Sequence, residues 1–140
     1  MYPDDGIAIA VLTNQDAASA AGQIARAIDP LVLHTEDFTA PMKLEQARKI
    51  FEGLQHGQID RSLFTSNANF YFSDQALQDF ASSLGPLGTP TEFTQTRQEL
   101  RGGMMLRVYS IKFPQKTIRA WTYEMPNGKL EQYQVAATAN

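Results

Sequence analysis

The sequence predicts an α+β domain in which helices come first and pack on a curved four-stranded antiparallel sheet. Apolar residues recur at helical spacing between residues 41 and 84. Four segments of strand length, rich in β-branched and aromatic residues, follow from residue 91 onward. The short connections between them make neighbouring strands antiparallel, because a parallel pair needs a crossover of about a dozen residues or more. Helices followed by an antiparallel meander are typical of the α+β class.

The first helix of this domain begins at Pro41, because proline suits the first turn of a helix. Its apolar face consists of Leu44, Ala47, Phe51 and Leu54, with Ile50 beside it. Gly57 is suited to the left-handed conformation that ends a helix. Asp60 is placed to cap a short turn that runs through Leu63 and Phe64.

Another helix begins after Ser73, whose side chain can cap it, and ends at Gly85-Pro86. Its apolar face consists of Leu77, Phe80, Ala81 and Leu84. The segment Asn67–Phe72, before this helix, passes from polar to aromatic residues. We expect its rings to plug one end of the sheet. Because the segment combines high β-propensity with low charge, it could also mediate self-association if exposed.

The four predicted strands are Thr91–Leu100, Met104–Phe113, Lys116–Met125 and Leu130–Ala137. Turn residues separate them at Gly102-Gly103, Pro114-Gln115 and Pro126-Asn127-Gly128. Glycine tolerates a positive φ, so Gly102-Gly103 predicts a tight β-turn or a bulge rather than a phosphate-binding loop.

The chain is expected to have three parts: residues 1–33, a linker over residues 34–40, and the α+β domain over residues 41–140. In the first part, Ile7–Leu12 reads as a strand buried on both faces and Ala17–Ile28 as a helix. This extra strand has no partner strand of its own. We expect it to pair with an exposed edge of the meander or with a copy of itself.

Composition excludes several classes of function. The 140 residues carry a formal charge of −3 and no cysteine, so neither a basic nucleic-acid surface nor a disulfide framework is expected. No apolar run reaches the roughly 18–20 residues of a membrane span. The two histidines, His34 and His56, are 22 positions apart on different segments, which does not match metal-ligand spacing. We therefore expect no metal, cofactor, nucleic-acid partner or membrane partner.

His56 and Asp60 are the candidate acid–base pair, since a buried histidine and carboxylate can titrate near neutrality. The structural interpretation is favoured for both residues. His56 lies at the predicted end of a helix, where an imidazole suits the helix dipole, and Asp60 is placed as an N-cap.

The strands carry a set of ligand-pocket candidates. Alternation places Arg107 and Tyr109 on one face of their strand, and Trp121 and Tyr123 on one face of the next. With Tyr133 on the last strand, these side chains could line a small-ligand cavity that has a few polar anchors. Plain core packing is the favoured alternative. If Arg107 is buried, it needs a partner, which Glu99 or a ligand anion could supply.

The layout over residues 41–137 resembles the NTF2-like (cystatin-like α+β) superfamily. The segment Ala47–Leu54, followed by Gly57–Asp60, is similar to the usual end of the long first helix in that fold. The resemblance implies a first helix across a strongly bent sheet that encloses a cone-shaped pocket. A cystatin-type sheet without a pocket is the alternative.

The segment Asp5–Asp16, followed by an alanine-rich helix, resembles the C-terminal end of β-lactamase/penicillin-binding-type serine hydrolases. In that family a strand ending in Leu-Thr-Asn leads into the last helix of the catalytic domain. The family's Ser-x-x-Lys and Tyr-x-Asn motifs are absent from this sequence, and none of its seven serines has a lysine three residues later. The resemblance therefore implies that this chain begins after the catalytic machinery ends.

Together these observations predict a non-catalytic accessory domain of such a hydrolase. It would dock against the catalytic domain in the same polypeptide, form a homodimer or hold a small molecule, in a secreted or periplasmic protein. The alternative is a stand-alone enzyme of the isomerase, dehydratase or cyclase kind, with Asp60 or His56 as base and Tyr109 or Tyr123 as donor. A third reading is a dimerisation module whose interface is the sheet face.

Overall fold

The computed structural model describes residue 10, residues 22–24 and 27–28, and residues 37–138. Residues 22–24 and 27–28 are helical and fall within the predicted helix Ala17–Ile28. The predicted strand Ile7–Leu12, the rest of that helix and the linker up to residue 36 lie outside the described residues. By its internal contacts the chain divides into Met1–Phe38 and Thr39–Asn140, and the second unit contains the sheet.

Three helices precede the sheet within residues 37–138: α1 (Ala40–Gln55), α2 (Ser66–Tyr71) and α3 (Asp74–Leu84). Short 3₁₀ turns at Arg61–Leu63 and Gly85–Leu87 complete the helical part. The expected caps are confirmed. The Asp60 side chain accepts a hydrogen bond from the Ser62 backbone N–H, and the Ser73 side chain accepts one from the Ala76 backbone N–H. Helix α2 was not predicted; Thr65 caps it by accepting a hydrogen bond from the Ala68 amide.

Within residues 37–138 the sheet has four strands in the order of the chain: β1 (Glu92–Arg101), β2 (Met104–Lys112), β3 (Thr117–Glu124) and β4 (Leu130–Ala137). Every neighbouring pair is antiparallel, which confirms the predicted meander. Gly102 and Gly103 form the β1–β2 turn with φ of 61° and 77°, as their sequence predicts. Bulges interrupt β1 after Gln95 and the β3–β4 pair after Tyr123, and such bulges bend a sheet.

The core lies between the helices and one face of the sheet, which we call the inner face. Helix α1 buries its predicted apolar residues Ala47, Ile50, Phe51 and Leu54. The sheet contributes Phe93, Tyr109, Ile111, Phe113, Ile118, Ala120 and Tyr133 to the same cluster. Phe51 is fully buried and its ring lies 6.1 Å from both Phe93 and Phe113, centroid to centroid. This single layer of helices on one antiparallel sheet is the α+β class expected from the sequence.

Candidate functional site

Strand register divides the ligand-pocket candidates between the two faces of the sheet. Tyr109 pairs with Ala120, and Arg107 pairs with Thr122. Residues directly opposite on antiparallel strands share a face, so Trp121 and Tyr123 lie on the other, outer face. Tyr133 joins the inner set, because it pairs with Thr122, whereas Glu99 pairs with Leu106 and belongs to the outer set. The six candidates Arg107, Tyr109, Tyr133, Trp121, Tyr123 and Glu99 therefore do not line a single cavity.

A largely buried ion cluster on the inner face joins α1 to β2 and β3. One Glu124 oxygen lies 2.9 Å from the Lys43 Nζ, and the other accepts from Arg107 Nη1 at 2.8 Å. The side chains of Lys43, Arg107 and Glu124 are 13%, 5% and 14% exposed. The Glu124 carboxylate offsets part of the cost of burying the two cations, and the cluster keeps one excess positive charge.

The partner of Arg107 is therefore Glu124 and not Glu99. Glu99 instead binds Arg97 at 2.6 Å on the outer face. Neither Glu124 nor Lys43 is among the site residues predicted from the sequence. The signal for Glu124 was its spacing, since it continues the alternating series Ile118, Ala120 and Thr122 that faces the core.

The two inner-face tyrosines are structural hydrogen-bonding and packing residues. The Tyr133 hydroxyl donates to the Ala47 carbonyl oxygen of α1 at 2.9 Å, entirely within the core. Burial, and in second place the neighbouring Tyr109, raises the pKa of Tyr133 well above that of a free phenol. Tyr109 is 1% exposed and its ring packs 5.7 Å from Phe93. Neither hydroxyl has the exposure that proton exchange with a substrate requires.

His56 and Asp60 are both exposed, so the structure does not bring the proposed acid–base pair into an enclosed site. His56 follows the last turn of α1, with its Nδ1 2.7 Å from the Glu52 carbonyl oxygen. Hydrogen bonds from the Ser62 hydroxyl and then from its amide lower the pKa of Asp60. These contacts match the capping roles that the sequence favoured.

Two cavities lie along β4. The first, about 250 Å³, is lined by α2 and the start of β4, including Tyr71, Glu131 and Tyr133. The second, about 380 Å³, lies between α3 and the end of β4. Glu131 accepts hydrogen bonds from the Thr65 hydroxyl at 2.6 Å and from the Asn67 side-chain amide. Both bonds lower the pKa of Glu131, the Thr65 bond more than the Asn67 bond. Neither cavity is lined by Arg107, Tyr109, Trp121 or Tyr123.

Across residues 37–138 and the described part of the N-terminal segment, no three His, Cys, Asp or Glu side chains group as metal ligands would. Nor does any helix in the described part of the chain have the length and hydropathy to cross a membrane.

No family model and no curated protein matches the sequence. Among solved structures, the chain is similar to the crystal structure of an NTF-2-like protein of unknown function from Burkholderia xenovorans LB400. The sequences are 16% identical, the match covers 73% of this chain and 88% of the other, and the TM-score is 0.38. The α+β class rests on the helices and sheet of the chain itself, and the NTF2-like resemblance stays a prediction from the sequence.

Proposed function

We propose that residues 39–140 are a non-catalytic, NTF2-like accessory domain of a β-lactamase-type serine hydrolase. The observation that carries the proposal is the filled inner face. The space where a cone-shaped pocket would lie holds the rings of Phe51, Phe93 and Phe113, and the Glu124 carboxylate there binds both Lys43 and Arg107. A core of this kind supports binding through the surface of the domain rather than chemistry in its interior.

The N-terminal resemblance supports the hydrolase part of the proposal. The segment Asp5–Asp16 carries it, and the missing Ser-x-x-Lys and Tyr-x-Asn motifs would then belong to the polypeptide before this chain. A hydrolase of this type would place the domain in the periplasm or outside the cell.

The outer face of the sheet is the surface we assign to docking against the catalytic domain. Val108, Trp121 and Tyr123 are half-buried there, and the Arg119 guanidinium lies 5.8 Å from the centroid of the Trp121 ring. Aromatic and arginine side chains are enriched in protein interfaces. The exposed positions of His56 and Asp60 give the alternative, a stand-alone enzyme, no comparable support.

The coding sequence upstream of Met1 tests this proposal. We expect an in-frame extension of several hundred codons that contains Ser-x-x-Lys and Tyr-x-Asn. In the full-length hydrolase, Trp121→Ala should then lower the melting temperature of the catalytic domain, while Phe70→Ala, at a residue 89% exposed outside the sheet, should not. A stop codon and ribosome-binding site directly before Met1 would overturn the proposal.

A further inference from the structure

The two edges of the sheet differ in how they resist pairing with another strand. The β1 edge is interrupted by a bulge between Gln95 and Arg97. It also carries the charged residues Glu92, Arg97, Glu99 and Arg101. Bulges and charges are features that discourage edge-to-edge association. The other edge, β4, has no charged residue and no register shift over residues 132–137.

The ladder between β2 and β3 determines which β4 amides point outward. Phe113 N–H donates to the Lys116 carbonyl oxygen at 2.8 Å, which makes these two residues a hydrogen-bonded pair. Bonding alternates along an antiparallel strand, so every second residue of β3 from Ile118 onward bonds to β2. The residues between them, including Arg119 and Trp121, bond to β4.

The partners of Arg119 and Trp121 on β4 are Ala136 and Gln134. Tyr133, Val135 and Ala137 alternate with these residues along β4. Their backbone N–H and C=O groups must therefore point away from β3, toward the edge of the sheet. Within residues 37–138, no backbone group of a turn, loop or helix end is hydrogen-bonded to any of the three.

At the start of β4 the outward edge is already hydrogen-bonded to another segment of the chain. Thr65 N–H donates to the Leu130 carbonyl oxygen at 3.0 Å, next to a bridge between Phe64 and Leu130. The bare edge is therefore confined to residues 133–137, which limits an added strand to about the same length.

An apolar groove runs beside this bare edge. The cavity of about 380 Å³ is lined by Phe80, Leu84 and Leu87 on one side and by Val135 and Ala137 on the other. Asp79 and Lys116, one charge of each sign, also line it. Tyr71 borders both cavities along β4 and is 66% exposed. An added strand would bury its groove-facing side chains against this apolar wall.

We propose that β4 pairs with β4 of a second copy of this chain, antiparallel and with Val135 on the two-fold axis. Val135 then lies opposite the partner subunit's Val135, and Tyr133 lies opposite the partner subunit's Ala137. Each of these pairs exchanges both of its N–H···O=C bonds, because the residues involved are those whose amides point outward. The two sheets join into one continuous sheet.

The second copy is the occupant that fits this edge. A two-fold axis at Val135 places a large side chain opposite a small one at both ends of the contact, and the same patch serves both subunits. Residues 132–138 carry no charge, so two copies meet without repulsion between like charges. Residues directly opposite share a face, so the partner subunit's Val135 enters the apolar groove. This contact does not depend on whether a hydrolase precedes the chain.

Hydrogen exchange of the full 140-residue chain as a function of concentration tests the register. The amides of Tyr133, Val135 and Ala137 should exchange quickly in dilute solution and at least tenfold more slowly where sedimentation shows a dimer. Those of Gln134 and Ala136, bonded within the sheet, should be protected at both concentrations. A chain that stays monomeric at millimolar concentration, or a dimer in which the three amides still exchange quickly, would overturn the inference. Protection of the three amides in dilute solution would also overturn it, because the edge would then be paired with a segment of the same chain such as Ile7–Leu12.

Substitutions on the two-fold axis test the identity of the occupant. Val135→Lys alone and Val135→Glu alone each place like charges opposite each other and should weaken dimerisation at least tenfold. Mixing the two variants should restore it as a heterodimer, a result that no partner other than a second copy explains. Circular dichroism of each variant verifies folding, and failure of folded variants to associate when mixed would refute the two-fold register.

Ala137→Pro provides a second variant that leaves the core untouched, because Ala137 is exposed. Proline removes one outward N–H in each copy, so we expect the dimer to weaken about tenfold to a hundredfold. The matched control is Arg119→Glu, whose exposed side chain lies on the outer face of β3 and lines neither cavity. If Arg119→Glu weakens the dimer and Ala137→Pro does not, the interface is the outer sheet face and the edge proposal is wrong.

Discussion

Arg107 and Arg97 lie on neighbouring strands and each binds a glutamate, but the two pairs have different surroundings. Arg97 and Glu99, on the outer face, lie 2.6 Å apart with 60% and 34% of their side chains exposed. Arg107 and Glu124, on the inner face, lie 2.8 Å apart with 5% and 14% exposed. The outer pair is shorter, yet the surrounding water screens it. Burial rather than distance decides how strongly the fold depends on such a pair.

The largest expected effect comes from the apolar part of the inner face. Phe51→Ala removes a fully buried ring between two others, and we expect it to lower the free energy of unfolding by about 4 kcal/mol. Trp121→Ala removes a larger but half-buried ring from the outer face and should cost about 1–2 kcal/mol. Urea denaturation measures both. Equal losses would contradict the assignment of the core to the inner face.

The ion cluster is the next test. Glu124→Gln leaves the Lys43 and Arg107 charges without a carboxylate, and we expect a loss of about 2–3 kcal/mol in the free energy of unfolding. The matched change on the outer face, Glu99→Gln, should cost less than about 1 kcal/mol. Adding salt should reduce the difference between wild type and Glu99→Gln more than that between wild type and Glu124→Gln. Equal costs for the two substitutions would refute the distinction between the pairs.

The features that were predicted correctly from the sequence are those set by residues close together in the chain. Helix α1 and its buried residues followed from apolar spacing, and the caps at Asp60 and Ser73 followed from local hydrogen-bonding chemistry. Both depend on residues a few positions apart. Helix α2 was missed because six residues are too few for a periodic pattern, and its aromatic side chains favour strands.

The ligand-pocket candidates were not assigned correctly to one face of the sheet, because that assignment depends on the register between neighbouring strands. Alternation shows which side chains share a face of one strand, but the connection sets how that face matches the next strand. The two-residue turn Pro114-Gln115 places Phe113 opposite Lys116, so odd-numbered residues of β2 share a face with even-numbered residues of β3. Counting residues through that turn is enough to assign Tyr109 and Trp121 to opposite faces of the sheet.

The hydroxyl of Tyr133 ties the sheet to α1, and its removal should have a smaller effect. Tyr133→Phe loses the bond to the Ala47 carbonyl oxygen, for a cost of about 1 kcal/mol at neutral pH. Burial raises the pKa of Tyr133, so above about pH 10 the unfolded chain ionises there while the folded chain keeps its proton. Stability should therefore fall as the pH rises past 10, and less steeply in Tyr133→Phe. An unchanged slope in the variant would show that Tyr133 ionises equally in both states.

The smallest expected effect concerns the exposed carboxylates. Hydrogen bonds lower the pKa of Asp60 and of Glu131 in the folded chain, so the unfolded chain binds protons first as the pH falls. The stability they provide is complete above about pH 5, where both are ionised in either state, and is lost as the pH falls through their folded pKa values.

The double variant Asp60→Asn, Glu131→Gln should therefore show a shallower loss of stability than wild type between about pH 5 and pH 3, measured by urea denaturation at each pH. Glu45→Gln serves as the matched control, since its one described ion pair, to Lys49, is 3.9 Å long and exposed. Its slope should follow that of the wild type. Identical slopes in the wild type and the double variant would mean that the hydrogen bonds from Ser62, Thr65 and Asn67 do not lower the two pKa values in solution.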